Sequence, residues 1–279
     1  VSRSSPSAED WYAKQKRTLD PVTLAQEVDL SYFASMEGAL IPSAWAQSAV
    51  GALERLGLKP SGTRRAALDV ADQGLDRNAF CGRHGQLVEC LRSWSGANSD
   101  IFGSVLAAFA LCDEWRYQTL LFDQDGLGAG VRGDARRINE DRRQTDRAAI
   151  QAEPYRGSAA PESPDSEMIE GRKNGDFFSN LKAQSWFALR ERFKATHRAI
   201  ETGHADDPDA LISLPPDLDE LNELLQELAQ VAYKINAAGK VVIEKAPAGF
   251  KSPNLADAVC MAFAPVHGVA ELWMRLAAN

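Results

Sequence analysis

The chain has 279 residues, 44% of them hydrophobic and 25% charged, with a formal net charge of −8. That composition excludes disordered, collagen-like and fibrous classes, and the length fits either two domains or one large α/β domain. The acidic balance excludes a protein that is basic overall, so any DNA contact has to come from a local basic surface or from metal ions held on acidic groups.

Residues 1 to about 58 read as helical and linker-like. The start, VSRSSPSAEDWYAKQKR, lacks both an initiating Met and the apolar core of a signal peptide, as expected of a piece of a longer protein. Residues 10–19 predict a polar helix and 23–28 a short amphipathic one. Residues 43–56 predict a helix opened by Pro42, with Trp45, Ala49, Leu53 and Leu56 on its apolar side. Composition shifts after Pro60-Ser61-Gly62. Residues 65–70 (RAALDV) read as a strand ending in an acid, and 78–84 with 86–94 as a hairpin joined at Gly85. Helical periodicity covers 100–115. The apolar run 117–123 (YQTLLFD) predicts a buried strand that again ends in an acid. A glycine-rich turn, an arginine-rich helix and a strand over 148–152 come next. Residues 154–176 hold three prolines, three glycines and many polar side chains, which predicts a mobile loop. Residues 179–202 predict a long helix. Residues 219–228 predict an acidic amphipathic one with Leu221, Leu224, Leu225 and Leu228 on its apolar side. A β-hairpin is expected over 231–236 and 240–245, and a last helix from Asn254 through Phe263. There is no internal repeat and no run approaching the ~18 apolar residues of a transmembrane helix.

The four cysteines, Cys81, Cys90, Cys112 and Cys260, are scattered through apolar surroundings without a C-x-x-C pair. They read as free core thiols of a reducing compartment, not as a zinc site or a disulfide frame. His84, His197, His204 and His267 are too dispersed for a ligand set.

Three acids carry the chemical argument. Asp69 ends the apolar strand in ALDVADQGLDRN, Asp123 ends another in LLFDQDGLGAG, and Asp257 lies in the first turn of the final helix in KSPNLADAVCMAFA. Strand C-termini are where open α/β sheets place their sites. The helix bearing Asp257 is apolar nearly all round from Ala258 to Ala264, hence buried. An unpaired buried carboxylate costs several kcal/mol, and three that converge repel one another unless a cation sits among them. Hard oxygen ligands suit Mg²⁺ or Mn²⁺, and two such ions ~3.5–4 Å apart serve phosphodiester hydrolysis. Each acid also has a plainer role. Asp69 fits a turn former, and Asp257 fits a capping box with Asn254 as N-cap. Asp125 crowds Asp123 just before a glycine turn, so the pair wants a cation or hydrogen-bond donors.

Two further patterns bear on function. The segment 128–133 matches G-x-G-x-x-G between a strand and a helix, with Glu153 about 20 residues beyond, which outlines a dinucleotide site and an oxidoreductase. Asp123 and Asp125 would repel the pyrophosphate there, and the glycines serve equally as a tight turn that leaves Asp123 exposed. Arg132, Arg136, Arg143 and Arg147 share one face of a continuous helix. They either meet phosphates or pair with Asp134, Glu140, Asp141 and Asp146 on a solvated surface. Arg132 and Arg136 follow Asp123 within two turns. Lys245 and Lys251 precede Asp257 and are candidates for an opposite DNA-binding wall.

The order ALDVADQGLDRN, LLFDQDGLGAGVRGDA, FFSNLKAQSWFALRERF, KSPNLADAVCMAFA resembles the C-terminal nuclease domain of the large terminase subunit of tailed bacteriophages, over about residues 64–265. DPVTLAQEVDLSYFASMEGALIP resembles the stretch joining that family's ATPase motor to its nuclease. The resemblance implies an α/β fold: a ribonuclease H-like mixed sheet flanked by helices over 59–279, behind a helical linker over 1–58 that follows an ATPase domain. It implies a metal-dependent endonuclease that cuts concatemeric double-stranded viral DNA during genome packaging, in the cytoplasm of the bacterial host. The family's metal-binding acids map onto Asp69, Asp123 and Asp257, with Mg²⁺ or Mn²⁺ as two ions. Asp76 and Asp125 match acidic positions nearby. Implied partners are double-stranded DNA and, in the full-length protein, the ATPase domain, the small terminase subunit and the portal, with no membrane. No G-x-x-x-x-G-K-[ST] occurs, so packaging ATPase activity is not expected of this chain. The competing readings are another ribonuclease H-like enzyme of resolvase or transposase type, the dinucleotide-binding oxidoreductase, and a non-catalytic docking domain that retains the fold.

Overall fold

A computed structural model describes residues 39–71, 77–95, 101–125, 128–244 and 252–265. The helices expected over 10–19 and 23–28 lie outside these residues. The helix expected over 43–56 is two short ones, α1 (Ser43–Ser48) and α2 (Ala52–Arg55). The chain breaks between them at Gly51, whose φ of 64° suits glycine and whose N–H donates to Leu214 O at 2.8 Å.

The central strands are β1 (Arg64–Asp69), β2 (Arg77–His84), β3 (Leu87–Ser95), β4 (Thr119–Asp123) and β5 (Gln151–Tyr155), in sheet order β3-β2-β1-β4-β5. The first three form an antiparallel meander, and β4 and β5 run parallel to β1. Alternation sends Ala66 and Leu68 of β1 and Leu120 and Phe122 of β4 to one side, and Ala67 and Leu121 to the other. On the first side α3 (Ile101–Trp115) and α4 (Gly128–Gln144) close a core around Phe109, Val131 and Ile138. On the second lie α5 (Asn174–Phe177), α6 (Leu181–Thr202), α7 (Leu221–Gln230) and α8 (Asn254–Ala262), with α1 against α6. Their core holds Trp186, Phe187, Leu228 and Val259, together with Leu40 and Ile41 from the N-terminal stretch. The expected hairpin is present as β6 (Ala232–Ile235) and β7 (Val241–Glu244). This is the mixed sheet flanked by helices that a ribonuclease H-like fold requires. All four cysteines are buried and free, and no helix among the described residues is long and apolar enough to cross a membrane.

Two expectations need correction. The strand expected over 148–152 is Gln151–Tyr155, because parallel pairing with β4 sets its register. The stretch 154–176 is largely exposed but tied down. Asn174 donates to Glu162 O and Ser163 O and accepts from Met168 N, and Gln184 both accepts from Glu162 N and donates to Glu162 O. Two buried side-chain amides, one within the loop and one from α6, thus satisfy backbone groups that its turn-rich sequence leaves without ladder partners.

Candidate active site

Parallel pairing of β1 and β4 sets Leu68 opposite Phe122, so Asp69 and Asp123 occupy the next rung on strands ~4.8 Å apart. Ala67 and Leu121 belong to the core beneath α6 and α8, and side chains two residues on point the same way, which turns both carboxylates toward that layer. β5 extends the row, with buried Tyr155 paired to Asp123.

Asp257 enters the same layer from α8, which packs against β1, β2 and β4, and its residue is 6% exposed. Its Oδ1 lies 3.6 Å from Lys182 Nζ, and Oδ2 is buried. Lys182 sits in the first turn of α6, where its N–H donates to Gly157 O at 2.9 Å. Burial above all holds the Tyr155 phenol well above its ordinary pKa, and the charges of Cys260, Asp257 and Asp123 push it the same way. Asp123 and Asp257 therefore act on one phenol, from elements far apart in sequence.

The capping-box role expected for Asn254 and Asp257 is not found. The N-cap of α8 is Pro253, without a side-chain cap, and Asp257 N donates to Pro253 O at 2.8 Å. Glu227 of α7 accepts from Ala256 N at 2.9 Å and also from Leu255 N. At the other end Arg83 Nε donates to Ala262 O at 2.6 Å, and its guanidinium lies 4.8 Å over the Phe263 ring. An acid at the N-terminus and a cation at the C-terminus both complement the helix dipole. The helix carrying Asp257 is thus clamped from outside, and the Asp257 side chain is spared from capping. Burial raises the Glu227 pKa to about 7, against the lowering effect of the two N–H groups.

Asp125 N donates to Asp123 Oδ1 at 2.9 Å, so Asp123 also closes the turn after β4. Ser158 N and Oγ both donate to the Asp125 carboxylate at 2.7 Å, which supplies the donors the acid pair needs. Gln124 Oε1 accepts from Arg156 Nε at 2.9 Å and from Arg132 at 3.4 Å.

The other predicted residues divide. Gly128, Gly130 and Gly133 lie inside α4, not in a loop before it, so they form neither a phosphate cradle nor the tight turn. A Cβ on Gly130 would come within 3.1 Å of Ile101, so this glycine allows α3 and α4 to approach. The dinucleotide reading fails on that placement. Arg132 and Arg136 are exposed on α4. Arg147 lies past the helix end and, like Arg142, pairs with Asp113 instead of the acids expected. Asp76, Lys245 and Lys251 lie outside the described residues.

Among the described residues, no group of three or more His, Cys, Asp or Glu side chains is arranged to hold a metal ion as it stands. Asp69, Asp123 and Asp257 share one layer of the fold, with Asp257 turned to Lys182. The chemistry of this donor set still fits a hard divalent cation, because every carboxylate offers oxygen and none is backed by a thiol or imidazole ligand.

Sequence reading missed Lys182, Tyr155 and Glu227. Lys182 did leave a signal, a cation in the first turn of a helix where the dipole disfavours it. Glu227 left another, an acid between Leu224 and Leu228 on the apolar side of α7.

No family model and no curated protein matches the chain. Among solved structures, the chain is similar to the nuclease domain of the large terminase subunit gp2 of bacterial virus Sf6 with manganese and β-thujaplicinol. Identity is 32% and the TM-score 0.74, over 82% of this chain and 100% of that one. The Sf6 domain without those additions matches equally well. A form of it with calcium matches at 34% identity and a TM-score of 0.69, over 81% of this chain and 98% of that one. At that identity and coverage, the chain belongs to the family of nuclease domains of the large terminase subunit of bacterial viruses.

Proposed function

We propose that this chain is a divalent-metal-dependent endonuclease that cuts concatemeric double-stranded DNA during viral genome packaging. The observation that carries the reading is the single rung shared by Asp69 and Asp123 at the C-terminal ends of parallel β1 and β4, facing the layer that holds Asp257. Asp69, Asp123 and Asp257 are the residues to hold Mg²⁺ or Mn²⁺, with Asp125 in a lesser role because Ser158 occupies its carboxylate. Bound there, two such ions supply an activated water and stabilisation of the leaving oxygen. The manganese and calcium held by the Sf6 domains support this choice.

The chain's own residues do the positioning. Backbone pairing fixes Asp69 and Asp123, and Glu227 and Arg83 fix the helix of Asp257. Lys182 offsets the charge of Asp257. Arg132, Arg136, Lys245 and Lys251 contact backbone phosphates, so cleavage shows little sequence preference. In the full-length protein the ATPase domain, the small subunit and the portal are the partners.

The test is cleavage of supercoiled plasmid with Mg²⁺, Mn²⁺ or EDTA. Nicked and linear products are expected with a divalent ion and none in EDTA. No cleavage with any divalent ion, or equal cleavage in EDTA, would overturn the reading.

A further inference from the structure

The arginines of α4 fall into two sets. Arg142 is buried, makes a bidentate pair with Asp113 and donates to Ala148 O, and Arg137 is exposed but lies 5.1 Å over the Phe102 ring; both are engaged within the protein. Arg132, Arg136 and Arg143 instead line a groove of about 630 Å³ between α4 and β5. Among the described residues none of these three pairs with a carboxylate, and the groove lining contains no acid.

The groove is built before any ligand arrives. Asn139 Nδ2 donates to Ile150 O at 2.8 Å and Ile150 N donates to Asn139 Oδ1 at 2.9 Å, which staples the helix to the start of β5. β5 is the edge strand, so the groove is open along its length. One end lies at the C-terminal edge of β4, where Arg132 donates to Gln124, the residue between Asp123 and Asp125; the acids face the other side of the sheet, so a duplex joining groove and site crosses that edge. From Arg132 to Arg143 the helix runs ~16 Å at ~1.5 Å per residue. One DNA strand places a phosphate every ~3.4 Å along the axis, so the row spans about five nucleotides.

We propose that this groove binds the sugar-phosphate backbone of double-stranded DNA leading away from the cleavage site. It is the basic track that lets an acidic protein grip a polyanion, and it adds Arg143 to the contacts. The choice of DNA over an acidic protein segment rests on the nuclease reading and on the track's origin at Gln124.

The test is anisotropy of a fluorescein-labelled 30-bp duplex titrated with the full chain over a range of salt, in the presence of calcium, for wild type and the Arg136→Gln/Arg143→Gln variant. Losing two phosphate contacts is expected to reduce the log–log salt slope by about 2 and weaken binding about tenfold at low salt. The Arg136→Lys/Arg143→Lys variant keeps both charges and is expected to keep the slope. A glutamine variant that melts like wild type and binds with unchanged affinity and slope overturns the proposal. So does a wild type that binds polyglutamate but not duplex. Plasmid cleavage by wild type reports separately on the nuclease reading, which can fail while the salt slope still assigns the groove.

Discussion

Removing the Glu227 carboxylate tests how Asp257 is held. Its helix has four N-terminal N–H groups to satisfy. Asn254 N donates to Ser252 O and Asp257 N to Pro253 O, which leaves Leu255 and Ala256, the two that Glu227 takes. Those residues are 1% and 0% exposed. Glu227→Ala therefore strands two N–H groups at ~1–3 kcal/mol each, and partial access for water near α7 brings the expected loss to about 2–4 kcal/mol. For a domain of this size that lowers Tm by roughly 5–15 °C. Glu227→Gln keeps one acceptor oxygen at nearly the same volume and should cost less than ~1 kcal/mol. The pH dependence has a definite sign. Burial raises the folded-state pKa to about 7, above an unfolded value of 4.5. The folded chain then holds a proton that the unfolded chain has lost, so this group's contribution to stability falls as pH rises from about 4.5 to about 7. Thermal melts across that range are expected to slope downward for wild type and to flatten in the Gln variant. An Ala variant melting within ~1 °C of wild type would refute the cap, since the orphaned N–H groups could not then be buried.

Asp69→Asn and Asp123→Asn should each abolish plasmid cleavage in Mn²⁺ while leaving Tm unchanged or raised, because each removes one charge from a repelling cluster; wild-type cutting by either variant removes that acid from the site. Asp125→Asn should cut more slowly than wild type but measurably, since Ser158 holds that carboxylate and one amide oxygen still accepts; a complete loss would promote Asp125 to a primary ligand. Gly82→Ala should destabilise by about 1–3 kcal/mol, because the new Cβ would lie 2.3 Å from the buried Tyr117 ring, which has to move; a wild-type melting curve would show that the ring moves aside at no cost.

Local pattern was enough to read most elements of this chain. The apolar runs ending in Asp69 and Asp123, the hairpin at Gly85 and the long helix after Asn180 all follow from short-range periodicity and turn chemistry. The position of acids at strand ends was legible for the same reason. What sequence left open was which partner each acid meets. Asp257 reads equally well as a capping-box acid, and only the arrival of Glu227 from another helix takes the cap and leaves Asp257 facing Lys182. The glycines at 128–133 read as a tight turn, with a phosphate loop as the competing reading, but the helix begins at the first of them, because tertiary contact between α3 and α4 at Gly130 outweighs glycine's weak helix propensity. The loop over 154–176 looks mobile in isolation and is held by Asn174 and by Gln184, whose hydrogen bonds to Glu162 span 22 residues of sequence. Periodicity encodes which face of an element is buried. The partner that buries it is fixed only when distant segments close the core, and that choice decided which side chains do chemistry and which hold the frame.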